Sequence, residues 1–203
     1  IEDHSYQGDL TDLPLETRCL IEADVLDKVG ANGTALLLLR MGYESRSHVD
    51  APEMVERVTE RARAAEEGEV PIGALLVDAA GDVIAEGWNQ PITACDPTAH
   101  AEIVALRRAG RAIGNYRLPG AILVCTLEPC LMCVGAVVHA RVSGVVFGAR
   151  DPKAGAVVSR LQVPQDYPFL NHSFWVLEGI CRQECEQVLT DFFSTRRRNK
   201  AER

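Results

Sequence analysis

Residues 121–147 read AILVCTLEPCLMCVGAVVHARVSGVVF, and the fold is decided by how this stretch alternates. Ala121 to Thr126 is a hydrophobic run of strand length, Pro129 interrupts it, and Leu131 to Ala140 can form a helix whose first turn carries Cys130 and Cys133. Val142 to Phe147 is the next strand. Upstream, a helical pattern from Thr98 carries Ile103, Leu106 and Ala109 and stops at Gly110, after a loop from Asn89 to Pro97. Before that loop, Val70 to Asp78 and Val83 to Trp88 read as antiparallel strands joined by the turn Ala79-Ala80-Gly81-Asp82. A first helix begins near Ala51, with Pro52 in its opening turn and Val55 and Val58 at helical spacing, and ends at Gly68. Downstream, Phe174 to Leu177 reads as a strand. Cys181 to Arg198 reads as a helix with Val188, Leu189, Phe192 and Phe193 on one face. Short strands alternating with helices predict a three-layer α/β/α sandwich around a mixed central sheet, the hairpin being its antiparallel element.

The chain has 203 residues, enough for one domain with its own core plus an extension. Residues 1–50 mix Gly, Asp and Ser with short apolar patches and no sustained period, so they read as a poorly ordered N-terminal extension to a domain at 51–203. The aliphatic block Ala35 to Leu39 is too short for a signal-peptide core, and no stretch approaches membrane length; the expectation is a cytoplasmic protein. Seven cysteines, an odd number beside a substantial core, argue against a disulfide-framed secreted protein. Net charge is −8, which excludes a general nucleic-acid binder, but the charge is unevenly spread. Residues 1–50 hold ten acids against four bases, while the C-terminal end carries Arg196, Arg197, Arg198, Lys200 and Arg203. Charge alone leaves a solvated helix face and a phosphate-binding edge equally open.

Three fragments carry chemistry: His100-Ala101-Glu102, Pro129-Cys130 and Cys133. Two thiols three residues apart can face one ion from a single helical turn, and a helix start stabilises thiolate. One imidazole and two sulfurs leave the fourth position of tetrahedral zinc for water, whereas a structural site closes it with a fourth protein ligand. Glu102 is the carboxylate that could move protons at such a site. On an ideal helix it sits about 200° around from His100, so the two can cooperate only if His100 reaches the ion from the first turn. A lone Cys-x-x-Cys could instead be a redox pair, and a lone histidine is more often structural, which is the first reading for His4, His48, His139 and His172. The joint pattern favours the metal.

From about Glu69 to Arg198 the sequence resembles the bacterial tRNA adenosine deaminases of the cytidine deaminase-like zinc superfamily. The resemblance is carried by Gly68 to Ala74, Gly87-Trp88-Asn89, Asp96 to Glu102, Asn115-Tyr116-Arg117, Thr126 to Cys133, Phe147 to Asp151 and Asp191-Phe192-Phe193. It implies that His100, Cys130 and Cys133 hold one zinc ion per subunit and that Glu102 shuttles protons. It further implies that Asn89, the Ala101 backbone, Val70 and Pro71 fix a flipped-out base, and that Asp151, after Arg150, lies beside the ribose. Phe192, Phe193, Arg196, Arg197 and Arg198 would form an RNA-facing edge. The implied reaction converts the wobble adenosine of a tRNA anticodon to inosine, in a homodimer that binds an anticodon stem–loop and no membrane. Two alternatives stay open: a deaminase of a free base such as guanine or cytosine, and an RNA-binding module whose structural zinc takes Cys125 or Cys95 as fourth ligand.

Overall fold

A computed structural model describes residues 51–63, 68–166 and 170–201, so the expectations for residues 1–50 lie outside the described residues. The elements in chain order are α1 (Ala51–Arg63), β1 (Gly73–Val77), β2 (Val83–Trp88), α2 (Ala101–Ile113), β3 (Ile122–Leu127), α3 (Leu131–Ala140), β4 (Gly144–Ala149), α4 (Val163–Asp166), β5 (Trp175–Glu178) and α5 (Arg182–Ala201). The sheet order is β2-β1-β3-β4-β5. Strand β1 runs antiparallel to both β2 and β3, while β3, β4 and β5 are mutually parallel.

Three layers follow from where the apolar side chains go. Ala74, Leu76, Leu123, Cys125, Val145 and Phe147 pack in one core with Ala101, Ala105, Val134 and Val137 of α2 and α3. Their strand neighbours Leu75, Val77, Ile122, Val124 and Val146 point the other way, by the two-residue period, and are equally buried. On that second face lie α1 and α5, which pack on the sheet and against each other. Central strands covered on both faces need continuous apolar runs, which is why β3 and β4 read as unbroken hydrophobic blocks.

Several boundaries differ from the sequence reading, each for a local reason. Strand β1 starts at Gly73 rather than Val70 because Val70–Ile72 closes a tight turn, with the Ile72 amide 2.7 Å from the Val70 carbonyl oxygen. Helix α2 starts at Ala101, not Thr98, because the Thr98 amide and hydroxyl are taken by Asp96 Oδ1. It passes through Gly110 and ends at Gly114, whose φ of 73° supplies the left-handed cap. Strand β4 starts at Gly144, since Val142 completes the cap of α3. The sequence reading did not anticipate the short α4.

The topology also brings the chemistry to one edge. Strand β2 is antiparallel to β1, which is antiparallel to β3, so β2, β3 and β4 all point the same way. Their C-terminal ends release Asn89, Glu128–Cys130 and Arg150–Asp151 side by side, and Val70–Ile72 enters β1 at that same edge. Ligand sites of open α/β sheets form outside these carboxyl ends.

Candidate metal and catalytic site

His100 and Cys130 occupy equivalent places, each the residue immediately before a helix, α2 and α3 respectively. Both have extended backbones (φ −68°, ψ 153° and φ −76°, ψ 170°), and neither side chain caps its own helix. This removes the angular conflict expected between His100 and Glu102. Only Glu102 is on the helix, and the extended His100 is free to turn toward the sulfurs.

The three donors converge. His100 Nδ1 lies 3.6 Å from Cys130 Sγ and 3.7 Å from Cys133 Sγ, and the two sulfurs are 3.6 Å apart. A tetrahedral ion with ordinary zinc bond lengths requires about 3.6 Å between nitrogen and sulfur and about 3.8 Å between sulfurs. Among the described residues, His100, Cys130 and Cys133 form a group able to hold a metal, and no fourth thiol joins them. Cys125 is buried with its sulfur directed at the Val146 carbonyl, and Cys95 is exposed with its sulfur near the Ile92 carbonyl. The structural-zinc alternative therefore loses the ligands it required. The donor set, one imidazole and two thiols at these separations, fits zinc, which these three residues would hold.

Electrostatics within the cluster are strongly coupled. The Cys130 thiol is drawn down to about 4, chiefly by the Cys133 thiol and then, against burial, by the His100 imidazole. Cys133 is pushed up by the neighbouring Cys130 sulfur and by burial. His100 is raised by its hydrogen bond to Cys130. Glu102 is only 4% exposed, and burial raises its carboxyl to about 6, with a further upward push from Cys130. Glu102 is thus a buried carboxyl bonded to the Cys133 sulfur and held above the usual carboxylate range.

The surrounding residues are placed by specific contacts. Gly87 lets the start of α2 lie directly on β2: a Cβ there would meet the Ala101 carbonyl oxygen at 2.4 Å and the Ala105 nitrogen at 2.6 Å. Asn89 is buried and its Oδ1 accepts the Ala101 amide at 2.9 Å. That amide is thus already paired, through the Asn89 oxygen. Val70 and Pro71 form the rim entering β1. Asp151 is half-buried, with its Oδ1 accepting the Lys153 amide at 2.9 Å. Arg150 is held in a two-pronged pair with Glu178, both contacts 2.6 Å. On α5, Phe192 and Phe193 pack edge to face at 5.3 Å, and Phe193 is 44% exposed. Arg196, Arg197 and Arg198 are all exposed, and Arg196 also stacks over Phe192 and donates to the Gly68 carbonyl at 3.1 Å. His172 binds the Val142 carbonyl oxygen, the structural role read for it from sequence.

Two buried carboxylates escaped the sequence reading. Glu69 Oε1 accepts the Ile92 and Thr93 amides and the Thr93 hydroxyl, while its buried Oε2 has no hydrogen-bond partner among the described residues. Glu128 accepts a set of donors from the loop after β4. Acids flanking apolar runs look like solvated strand ends in a sequence, so only the fold reveals that these two are interior.

Fold and donor set together define a mononuclear zinc hydrolase of the cytidine deaminase-like type. Residues 46–149 match the family described as the cytidine and deoxycytidylate deaminase zinc-binding region. The tRNA-specific adenosine deaminase of Haemophilus influenzae is 51% identical over 133 residues, covering 66% of this chain and 76% of that protein. A solved structure from a study of A-to-I editing by tRNA:A34 deaminases at the wobble position is 43% identical, with a TM-score of 0.64, covering 68% of this chain and 99% of that one. A guanine deaminase structure from Nitrosomonas europaea is more distant, at 26% identity and a TM-score of 0.60 over 72% of this chain and 86% of that one. The chain belongs to the bacterial tRNA-specific adenosine deaminases of the cytidine deaminase-like zinc superfamily.

Proposed function

We propose that this enzyme hydrolyses the 6-amino group of adenosine at the wobble position of a tRNA anticodon, giving inosine and ammonia. The observation that carries the reading is the triangle of His100 Nδ1, Cys130 Sγ and Cys133 Sγ with the buried Glu102 carboxyl against it. His100, Cys130 and Cys133 would hold the zinc ion, which would supply Lewis acidity to a water molecule there. Glu102 takes one proton from the attacking water and passes it to the ring nitrogen beside the attacked carbon, then takes the proton left on the added hydroxyl as the carbonyl forms and hands it to the departing amine, which leaves as ammonia. Asn89, fixed through its oxygen by the Ala101 amide, presents its nitrogen to the base. Val70 and Pro71 wall the pocket.

The adenosine must leave its loop stack to reach this edge of the sheet, and a single-stranded anticodon loop makes that cheap. Asp151, released at the same sheet edge as Asn89 and Cys130, is the proposed neighbour of the ribose, and the exposed Arg197 and Arg198 supply positive charge for flanking phosphates. Arg150, committed to Glu178, acts through that pair rather than as a free cation.

A second copy of the chain is the proposed occupant of a cleft of about 840 Å³ between α2 and α3, lined by Ile103, Leu106, Tyr116, Met132 and Ala136. The apolar lining beside the site supports a homodimer built on that face. Among the described residues no helix is long and apolar enough to cross a membrane. We place the enzyme in the cytoplasm, where tRNA and reduced thiols coexist.

The test is to incubate zinc-loaded protein with total tRNA and map inosine, with free adenine, guanine and cytosine as competitors. Inosine confined to wobble positions is expected, and Glu102→Ala should abolish it while retaining zinc and RNA affinity. Turnover of a free base with none on tRNA, or unchanged inosine formation by Glu102→Ala, would overturn the reading.

A further inference from the structure

Glu128 has no part in the proton transfers above, yet it is one of the most elaborately bonded side chains in the protein. It is 2% exposed. Its Oε1 accepts the amides of Val157 at 3.1 Å, Val158 at 2.7 Å and Ser159 at 2.8 Å. Its Oε2 accepts the Asp151 amide at 3.0 Å and the Ser159 hydroxyl. These donors come from the two ends of one loop, Asp151 to Ser159, so a single carboxylate closes it.

The same loop is stitched to the metal-binding segment. Gly155 pairs with Cys130 in an isolated β-bridge, and the Ala156 amide bonds the Pro129 carbonyl oxygen at 2.9 Å. At Gly155 the loop passes so close that an added Cβ would lie 2.3 Å from Glu128 Cδ. At the loop's head, Asp151 Oδ1 accepts the Lys153 and Ala154 amides at 2.9 and 3.2 Å. Among the described residues its Oδ2 has no partner. The backbone of Asp151 is thus held by Glu128, and one of its carboxylate oxygens by its own turn.

We propose that Glu128 is a positioning residue that fixes the Asp151 carboxylate for the ribose of the bound nucleotide and locks it in register with Cys130. The proposal rests on the tRNA deaminase reading. A buried carboxylate kept only for stability is replaceable by apolar packing. Five convergent donors from the ends of one loop do something packing cannot, which is to set the direction of a neighbouring side chain. Glutamine is the informative substitution. It fills the same space but keeps one acceptor oxygen, so its amide nitrogen must oppose either the Asp151 N–H or the three amides on the other side.

The experiment is a double-mutant cycle on binding of an anticodon stem–loop RNA to zinc-loaded protein, with zinc content measured for each variant. Glu128→Gln and Asp151→Ala should each weaken binding about tenfold, and the double variant should be no weaker than the worse single one. Zinc content should be unchanged throughout. Losses that multiply to about a hundredfold, or undiminished binding by Glu128→Gln, would overturn the proposal. Should Glu128→Gln fail to fold, Ser159→Ala removes only the hydroxyl beside the Asp151 amide. It should cost a few-fold in affinity in the native background and nothing beside Asp151→Ala, and an equal loss in both would refute the coupling. Inosine formation by the wild type is scored separately. Its absence with the coupling intact would remove the deamination reading but leave Glu128 positioning Asp151 for RNA.

Discussion

At the scale of single residues, Glu102 shows what burying a carboxyl does to stability. Its folded-state value near 6 lies above the 4.5 of an unburied glutamate, so the folded protein holds that proton more tightly than the unfolded chain does. Stability must then fall as pH rises from about 4.5 to about 6, and the full penalty persists above that window. In protein stripped of metal by a chelator, Glu102→Gln should raise unfolding free energy by about 2 kcal/mol at neutral pH. The gain should vanish once pH falls below the ordinary carboxylate value. Denaturant titrations across that range check it, and a pH-independent difference would show that burial of the charge is not the cause. Glu128 has the opposite sign. Burial pushes its carboxyl up, but the Ser159 hydroxyl and the amides of Ser159, Val158 and Asp151 pull it lower still, below the usual value. Both are buried glutamates, and their neighbours alone separate them.

At the scale of elements, the site depends on two helix starts being placed against strand ends. Helix α2 can approach β2 closely only because residue 87 has no side chain. Gly87→Ala should therefore push the start of α2 away from the sheet, taking His100 and Glu102 with it. The expected cost is about 1–3 kcal/mol in stability. A larger proportional loss in inosine formation should accompany it, because proton transfer tolerates little displacement. Thermal unfolding read beside turnover would check this, and wild-type values for both would mean the contact is not tight. The element boundaries also mark the reach of sequence patterns. Helix α3 spans Leu131–Ala140 as read, since a proline before it and a left-handed Arg141 after it are local signals. The start of β1 shifted because Val70–Ile72 closes on itself in a tight turn, and that of α2 because Asp96 captures the Thr98 amide; such bonds leave no periodic trace.

At the scale of the whole molecule, an acidic protein has to meet a polyanion. The face opposite that problem is α5, which past Val188 runs largely exposed and ends in a basic run. Its arginines are not equivalent. All three are exposed, but Arg196 also stacks over Phe192 and donates to the Gly68 carbonyl, which ties the helix to the segment leading into β1. Replacing Arg197 and Arg198 together by Ala should lower the salt dependence of tRNA binding by about one to two in the slope of log K against log salt. Arg196→Ala should change that slope less while slowing turnover. Equal slopes for all variants would place the phosphate contacts elsewhere.

The identity of the chemistry was settled by residue types at short spacing. His100-x-Glu102 and Pro129-Cys130-x-x-Cys133 state which donors and which carboxylate are present, and the alternation of apolar blocks states that they hang on an α/β sheet. Tertiary structure decided the rest: that β2, β3 and β4 point the same way and so deliver Asn89, Cys130 and Asp151 to one edge, and that Glu69 and Glu128 are interior. The division has a physical cause. Ligand type and local period are written in neighbouring residues, but strand direction, burial of a charge and the partners of a backbone amide are set by segments far apart in the chain.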